Sequence, residues 1–323
     1  MIFYLVKREH TYTLGAFLKG LGAELAPRIT LLPYERLRLL PALRGGTYIF
    51  SDIERLSPQE AEAAARLWEH LAGRPGTRLL NHPTRTLRRY ELLRRLHEEG
   101  VNDFNVYRLT EGRRPPVRLP AFVRMDDEHR GAQTGLLRTP GEIEEALAQI
   151  DREGLCRDNR IVCEFFDTSD AAGIYRKYSA FMIGGAVVAR HLFFSRDWMV
   201  KYANLADEPL LDEERRYVEG NPHEARLREL FALARVEYGR IDYSLHEGRF
   251  QVWEINTNPC LVSPSSEKIA ARAPVNQAFA RRAVAAFEAV DDGGGESVPN
   301  PLYVRVPLKR RLKDAVKLCL GRL

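Results

Sequence analysis

Cysteine is scarce in this sequence. Its four residues, Cys156, Cys163, Cys260 and Cys319, fall singly, at none of the paired spacings that metal sites use. Reduced thiols in a cytoplasmic protein are the expectation. Long apolar runs are missing too: none approaches the roughly 20 residues of a membrane-crossing helix. The apolar opening, residues 1–6, is too short for a signal peptide, and its charges follow the run instead of preceding it. No phosphate-type glycine fingerprint comes after that first segment, which argues against a dinucleotide site of the Rossmann kind. There is no Gly-x-Ser-x-Gly elbow and no cysteine–histidine pairing of the hydrolase type. His10, His82, His191 and His246 are scattered and read as surface or packing residues.

An excess of one charge is also missing from most of the chain. The formal total is +5, but residues 301–323 hold seven basic residues against one acidic, leaving −1 on everything before them. A nearly neutral body argues against a broad nucleic-acid surface, which needs a basic stripe across the fold. At 45% hydrophobic content, 323 residues can bury one large core or two modest ones.

Residues 1–80 read as a small α/β unit, with strands at 2–6, 29–32 and 48–50. Ser57-Pro58-Gln59-Glu60 is a capping box opening a helix. Residues 85–99 predict a second helix, 104–109 and 121–125 strands, and Thr139-Pro140-Gly141-Glu142 a further capped helix. A strand at 161–166 precedes a hairpin, 174–183 and 186–194, turning at Gly184-Gly185. Asn221-Pro222-His223-Glu224 opens a helix, and a last one covers about 274–290. Asp291-Asp292-Gly293-Gly294-Gly295 reads as a linker. In the basic tail beyond it, Leu308, Leu312, Ala315, Val316, Cys319 and Leu320 fall on one helical stripe. Such a helix either docks on the body or meets an acidic membrane surface or partner peripherally.

The chemistry concentrates in residues 239–259. Two runs rich in β-branched and aromatic residues flank Glu247-Gly248-Arg249 and predict a β-hairpin. With the turn centred on Gly248, Asp242 lies opposite Glu254 and Arg240 opposite Asn256. Residues two apart on a strand share a face, so these four project together. Directly opposed carboxylates repel unless a cation lies between them. Their oxygens, with that of an Asn, suit a hard cation such as Mg²⁺. Any one of them alone reads as well as an exposed polar face; the set of four, followed by Asn-Thr-Asn-Pro, points to a site.

Arg240-Ile241-Asp242 followed by Glu254-Ile255-Asn256-Thr257-Asn258-Pro259 resembles the metal-binding end of ATP-grasp ligases, especially D-alanine–D-alanine ligases and glutathione synthetase-like enzymes. The resemblance spans about residues 81–290. It implies an α/β fold: a small N-terminal domain (1–80), a two-lobed ATP-grasp domain (lobes about 81–160 and 161–290), then linker and basic helix (291–323). It implies that Asp242, Glu254 and Asn256 hold Mg²⁺ on the phosphates of ATP, and that Arg240 steadies charge on the reacting acyl group. Gly131-Ala132-Gln133-Thr134-Gly135, a plain turn in isolation, resembles the family's glycine loop. Arg124 and Arg89 stand where nucleotide-contacting lysines are usual, with Arg88 an alternative to Arg89. Arginine keeps the charge but presents a planar fork. Glu164, Phe165 and Phe166 resemble the strand and hinge that grip adenine, with Asp167 or Asp170 toward the ribose. Arg176 and Lys201 fall where related ligases contact phosphates or substrate, and Ser265 where D-alanine ligases bind a substrate carboxylate.

The function so implied joins a carboxylate to an amine through an acyl phosphate, on an amino acid or peptide. A small-molecule kinase and a non-catalytic nucleotide-binding module are the alternatives. No nucleic acid is expected as a partner, and the oligomeric state stays open, a homodimer included.

Overall fold

A computed structural model describes residues 1–109, 116–128, 131–201, 204–262, 270–291 and 294–303. Ser265 and the tail stripe from Leu308 onward lie outside the described residues, as do Asp292 and Gly293 of the expected linker. The fold is mixed α/β, with, among the described residues, one four-stranded parallel sheet and antiparallel sheets of four, three and two strands.

The parallel sheet has the order β2-β1-β4-β5, from β1 (Ile2–Val6), β2 (Ile29–Pro33), β4 (Gly46–Phe50) and β5 (Thr77–Leu80). A two-residue strand, β3 (Ala42–Leu43), pairs with β13 (Val298–Pro299). Helix α2 (Pro58–Leu71) begins at the expected capping box, Ser57 accepting from the Glu60 amide. Its Ala61, Ala64, Leu67 and Leu71 bury one face of the sheet with Tyr48 and Phe50. The other face is covered by α1 (Tyr12–Lys19) and by α7 (Ala273–Ala289), whose Phe279 and Phe287 join Ile2, Tyr4 and Leu14 in one core. Neither α1 nor β5 stood out in the sequence.

Next comes α3 (Arg89–Glu98), four residues later than its periodicity suggests. The delay follows from Asn81, at φ 63°, whose side chain donates to the carbonyls of Phe50 and Tyr238 and accepts from the Glu237 and Tyr238 amides. A residue so committed fixes a turn before the helix starts. A three-stranded antiparallel sheet follows, β6 (Val106–Arg108), β8 (Arg160–Glu164) and β7 (Ala121–Met125), with α4 (Pro140–Arg152) buried on it through Ile150.

The central sheet is antiparallel, in the order β10-β9-β11-β12: β9 (Tyr175–Ile183), β10 (Ala186–Ser195), β11 (Tyr238–His246) and β12 (Arg249–Asn256). Between its two hairpins lie α5 (Glu208–Gly220), capped by Asp207, and α6 (Glu224–Ala234). The sequence reading did not find α5. Asn221 proves to be the left-handed C-cap of α5 instead of the opening of α6. One core ties α3 and α6 to this sheet, joining Leu92, Leu96, Phe231, Ile241, Tyr243 and Val252. Burying that many large apolar side chains, at about 1.5–3 kcal/mol each, holds the two antiparallel sheets as neighbours. Among the described residues, no helix is long and apolar enough to cross a membrane.

Candidate functional site

The β11–β12 hairpin carries the site, and its register has an unforeseen origin. The turn is Glu247-Gly248, at φ 50° and 77°, a two-residue connection between His246 and Arg249. Positive φ at both positions is what a type I′ hairpin turn demands. Continued regularly from that turn, the ladder would place Asp242 opposite Trp253. A bulge between Asp242 and Tyr243 takes up the extra residue, so that Asp242 pairs with Glu254 and Arg240 with Asn256, as the sequence suggested. The same bulge brings the consecutive Trp253 and Glu254 both to the wall of one cleft, which a regular alternating strand cannot do.

That cleft has a volume of about 120 Å³ and lies between the central sheet and the three-stranded one. One end is aromatic. Trp198 packs on Phe122 (ring centroids 4.9 Å apart) and Phe165 (5.8 Å), and Trp253 stacks on Phe104 at 5.1 Å. Phe166, with its ring edge-on to His246, completes the apolar wall. The other end is charged, lined by Arg124, Lys177, Lys201, Asp242 and Glu254. Apolar walls with a few fixed polar groups suit a planar base, and clustered cations suit the phosphates attached to it.

The two opposed carboxylates are held from different directions. Asp242, 3% exposed, accepts from Ser179 Oγ (2.6 Å) and from Arg240 Nε (2.8 Å) and Nη2 (3.2 Å), with Lys177 Nζ 3.7 Å away. Burial pulls the Lys177 ammonium below its ordinary value, and the charge of Asp242 opposes that. Glu254 Oε2 accepts from two buried guanidiniums, Arg89 Nη2 at 2.7 Å and Arg124 Nη2 at 2.9 Å. Burial, then the neighbouring charge of Arg89, lowers the Arg124 pKa. Its Nε has no hydrogen-bond partner among the described residues.

Other expected residues divide between cleft and scaffold. Gly131 lines the cleft with Lys201 packed against it: a Cβ there would meet Lys201 Cε at 2.5 Å. Gly135 does not line it. Residues 132–137 run back along β7, with bridges Arg124–Ala132 and Ala121–Leu137, so this part of the expected loop is ladder. Glu164 lines the cleft, but its oxygens accept from the amides of Asn105 (3.0 Å) and Arg118 (2.9 Å) and from Tyr107 Oη. The Phe165 amide donates to Pro120 O. Asp167 accepts from the Ser169 amide and Asp170 from those of Ala172 and Ile174, while Thr168 between them reaches the cleft. Arg89 is a clamp: besides Glu254 it donates to the carbonyls of Met125, Asp126 and Glu128 at the end of β7. Arg88 donates to Leu56 O.

The structure does not bring Arg176 to the cleft. Its guanidinium pairs with Glu213 and Asp170, and the adjacent Lys177 faces the site instead. The signal was strand parity. Ser179 pairs with Asp242 across β9–β11 and must share its face, so Lys177, two residues away, shares it too. Trp198 and Tyr175 were also missed, as were the roles of Thr257 and Asn258. Thr257 Oγ1 accepts from the Ile53 amide, and Asn258 Oδ1 from Tyr4 Oη (2.8 Å) and Thr13 Oγ1 (2.6 Å), fastening the end of β12 to the parallel sheet.

Among the described residues no three His, Cys, Asp or Glu side chains converge as a metal cluster. Asp242, Glu254 and Asn256 offer a mixed carboxylate and carboxamide set, all oxygen and on one face. That donor chemistry fits a hard divalent cation, which must compete with Arg89 and Arg124 for Glu254.

No family model matches the sequence, and no curated protein matches it. Among solved structures, the chain is similar to a D-alanine–D-alanine ligase from Bacillus anthracis complexed with ATP, at 12% identity and TM-score 0.49, over 90% of this chain and 98% of that one. It is similar to an L-amino acid ligase from Bacillus licheniformis at 13% and 0.45, over 80% and 66%. It is also similar to a RimK domain ATP-grasp protein from Sphaerobacter thermophilus at 11% and 0.49, over 87% and 99%. At these values the likeness concerns the general course of the chain, and the chemistry rests on this chain's own residues.

Proposed function

We propose that this chain is an ATP- and Mg²⁺-dependent carboxylate–amine ligase of the ATP-grasp kind, working through an acyl phosphate on an amino acid or peptide. The observation that carries the reading is the in-register set of Arg240, Asp242, Glu254 and Asn256, of which Asp242 and Glu254 line the charged end of an aromatic-walled cleft. In this reading residues 1–80 form a first domain, and lobes of about 81–160 and 161–290 enclose the nucleotide. The aromatic wall takes the base, and Arg124, Lys177 and Lys201 take the phosphates. Asp242, Glu254 and Asn256 would hold Mg²⁺, which when bound neutralises phosphate charge. Arg240, fixed by two hydrogen bonds to Asp242, presents its remaining donors to charge that develops on the reacting acyl group. No side chain needs to act as a covalent nucleophile; the protein positions the reactants and stabilises charge.

The test is ATP consumption against a panel of amino acids and dipeptides with hydroxylamine present. Hydroxamate formed together with ADP is the expected result. A stable phosphorylated product with no hydroxamate would establish a kinase instead. A second reading, a nucleotide-binding module without catalysis, draws on the double guanidinium clamp on Glu254; ATP binding with no turnover across the panel would establish it.

A further inference from the structure

The reading above gives partners to the base, the phosphates, the metal and the acyl group, but assigns nothing to the proton of the incoming amine. Near neutral pH an amino group is mostly an ammonium and must lose a proton before it can attack. His10, which the sequence suggests is a surface or packing residue, is held as such a base would be. Its Nδ1 lies 2.7 Å from Asp52 Oδ2. An ionised carboxylate only accepts, so Nδ1 carries the ring hydrogen and Nε2 keeps a lone pair. That Nε2 has no hydrogen bond among the described residues. Glu9 Oε1, on a side chain 73% exposed, stands 4.0 Å from it, beyond bonding reach. The ring is 19% exposed, which leaves it reachable from solvent.

Asp52 is fully buried at φ 59°, in the left-handed region that few residues other than glycine occupy. Besides His10 it receives Arg55 Nη1 and, at 3.2 Å, the Lys7 amide. A carboxylate with three donors cannot turn, so it fixes the imidazole. Its place in the fold is equally specific. His10 follows β1 and Asp52 follows β4, adjacent strands of the parallel sheet, and α1 and α2 cover opposite faces of that sheet. Such a divergence at the carboxyl ends of parallel strands opens the crevice where α/β folds bind ligands.

The end of β12 leads from the cleft to this crevice. Glu254 belongs to the cleft wall, and Asn256, about 7 Å further along, pairs with Arg240. Asn258 comes next, and its Nδ2 donates to the His10 carbonyl at 3.4 Å. Two residues later, burial raises the Cys260 thiol while the charges of Arg240 and Arg55 oppose it, so this thiol lies within range of both guanidiniums. The order along the strand is therefore metal and phosphate, then acyl group, then His10. An amine arriving at His10 meets the acyl group from the side away from the leaving phosphate.

We propose that His10, oriented by Asp52, is the general base for the amine, which enters from the parallel sheet and not through the nucleotide cleft; the inference rests on the ligase reading. His10 Nε2 takes one proton from the ammonium, and the freed nitrogen pair forms the C–N bond to the acyl carbon. The C–O bond to phosphate breaks, and its electron pair leaves with the phosphate. The second amine proton goes to that phosphate. Amide, hydrogen phosphate and protonated His10 result, and His10 releases its proton to water.

The experiment compares two nucleophiles in wild type, His10→Gln and Asp52→Asn. One is the amino acid that wild type joins fastest in the panel above; the other is hydroxylamine, which is largely neutral at pH 7.5 and needs no base. In His10→Gln, amide formation is expected to fall about a hundredfold or more, with the hydroxamate partial reaction within about twofold of wild type. At pH 9, where more of the amine is already neutral, the amide deficit should shrink. Asp52→Asn should show the same split with a smaller loss. Hydroxamate and amide falling together in His10→Gln would overturn the assignment, since that is what lost structure or lost acyl phosphate produces. Unchanged amide formation, or a deficit that persists at pH 9, would overturn it as well. Neither product from wild type would instead remove the ligase reading itself, and this inference with it.

Discussion

Asp242 and Glu254 face each other across one pair of strands, yet they are secured in opposite ways. Asp242 is held from within its own sheet, by Ser179 on the adjacent strand and Arg240 two residues back. Glu254 is held from outside it, by Arg89 at the start of α3 and Arg124 on β7. One carboxylate is therefore a local feature of a strand pair. The other joins two sheets and a helix, and any change there reaches the packing as well as the chemistry.

The largest consequence concerns Glu254→Gln. The amide keeps an acceptor but loses the charge that two buried guanidiniums require. Breaking a fully buried pair costs about 3–5 kcal/mol; with Glu254 partly exposed, we expect about 2–4. Turnover should fall to background and the melting temperature by several degrees, whereas Asp242→Asn should abolish turnover with a much smaller melting shift. Calorimetric melting of both variants decides it, and equal shifts would erase the contrast.

Arg124 tests the same side with a smaller effect. If it leaves Glu254 to meet a phosphate, Arg124→Ala should weaken ATP binding by about 1.5–3 kcal/mol, the value of a charge-assisted hydrogen bond. Arg124→Lys should lose less, since it keeps the charge and only the fork disappears. Titration of ATP into each variant gives the answer. Unchanged affinity would mean that the guanidinium belongs to the Glu254 clamp alone.

On the Asp242 side the expected signature is a pH dependence. The His191 imidazole is depressed in the folded protein, so below about pH 6.5 the unfolded chain takes up a proton that the folded one refuses. Its contribution to stability is present above that pH and is lost as pH falls toward the folded value, at up to about 1.4 kcal/mol per unit. Urea unfolding at pH 7.5, 6 and 5 should show wild type losing more than His191→Gln. Parallel losses would mean that the folded protein accepts the proton.

The same contrast explains what was legible in the sequence. The Asp242 side follows from short-range rules: alternation places Arg240 with Asp242, and a glycine turn faces them toward Glu254 and Asn256. Even there the right pairing came with the wrong turn, because a bulge at Trp253 restored the register that a two-residue turn had shifted. The Glu254 clamp depends on β7 and α3 meeting β12, contacts separated by 130 and 165 residues, which no local pattern encodes. Arg176 was expected at the site and Lys177 was not considered; only the pairing of β9 with β11 reveals that Lys177 shares the face of Asp242. Helix α5 escaped because its buried face includes a charged residue, Glu214, and its cap, Asp207, lies in an acidic stretch resembling a loop.

The smallest expected effect isolates the local side. Ser179, fully buried, donates its hydroxyl to Asp242 Oδ1, the oxygen that also accepts from Arg240 Nε. Removing the hydroxyl in Ser179→Ala leaves no unpaired group on the alanine, and Asp242 keeps the arginine. The cost should therefore be about 1 kcal/mol, the ordinary net value of a hydrogen bond, instead of the larger figure for a stranded charge. In turnover that is about fivefold, with ATP affinity unchanged because Ser179 touches no cleft-lining cation. Steady-state rates and an ATP titration on this one variant measure both. A collapse as deep as that of Glu254→Gln would mean that Asp242 is held by its hydroxyl partner more than by Arg240, and both carboxylates would then depend on partners from other strands.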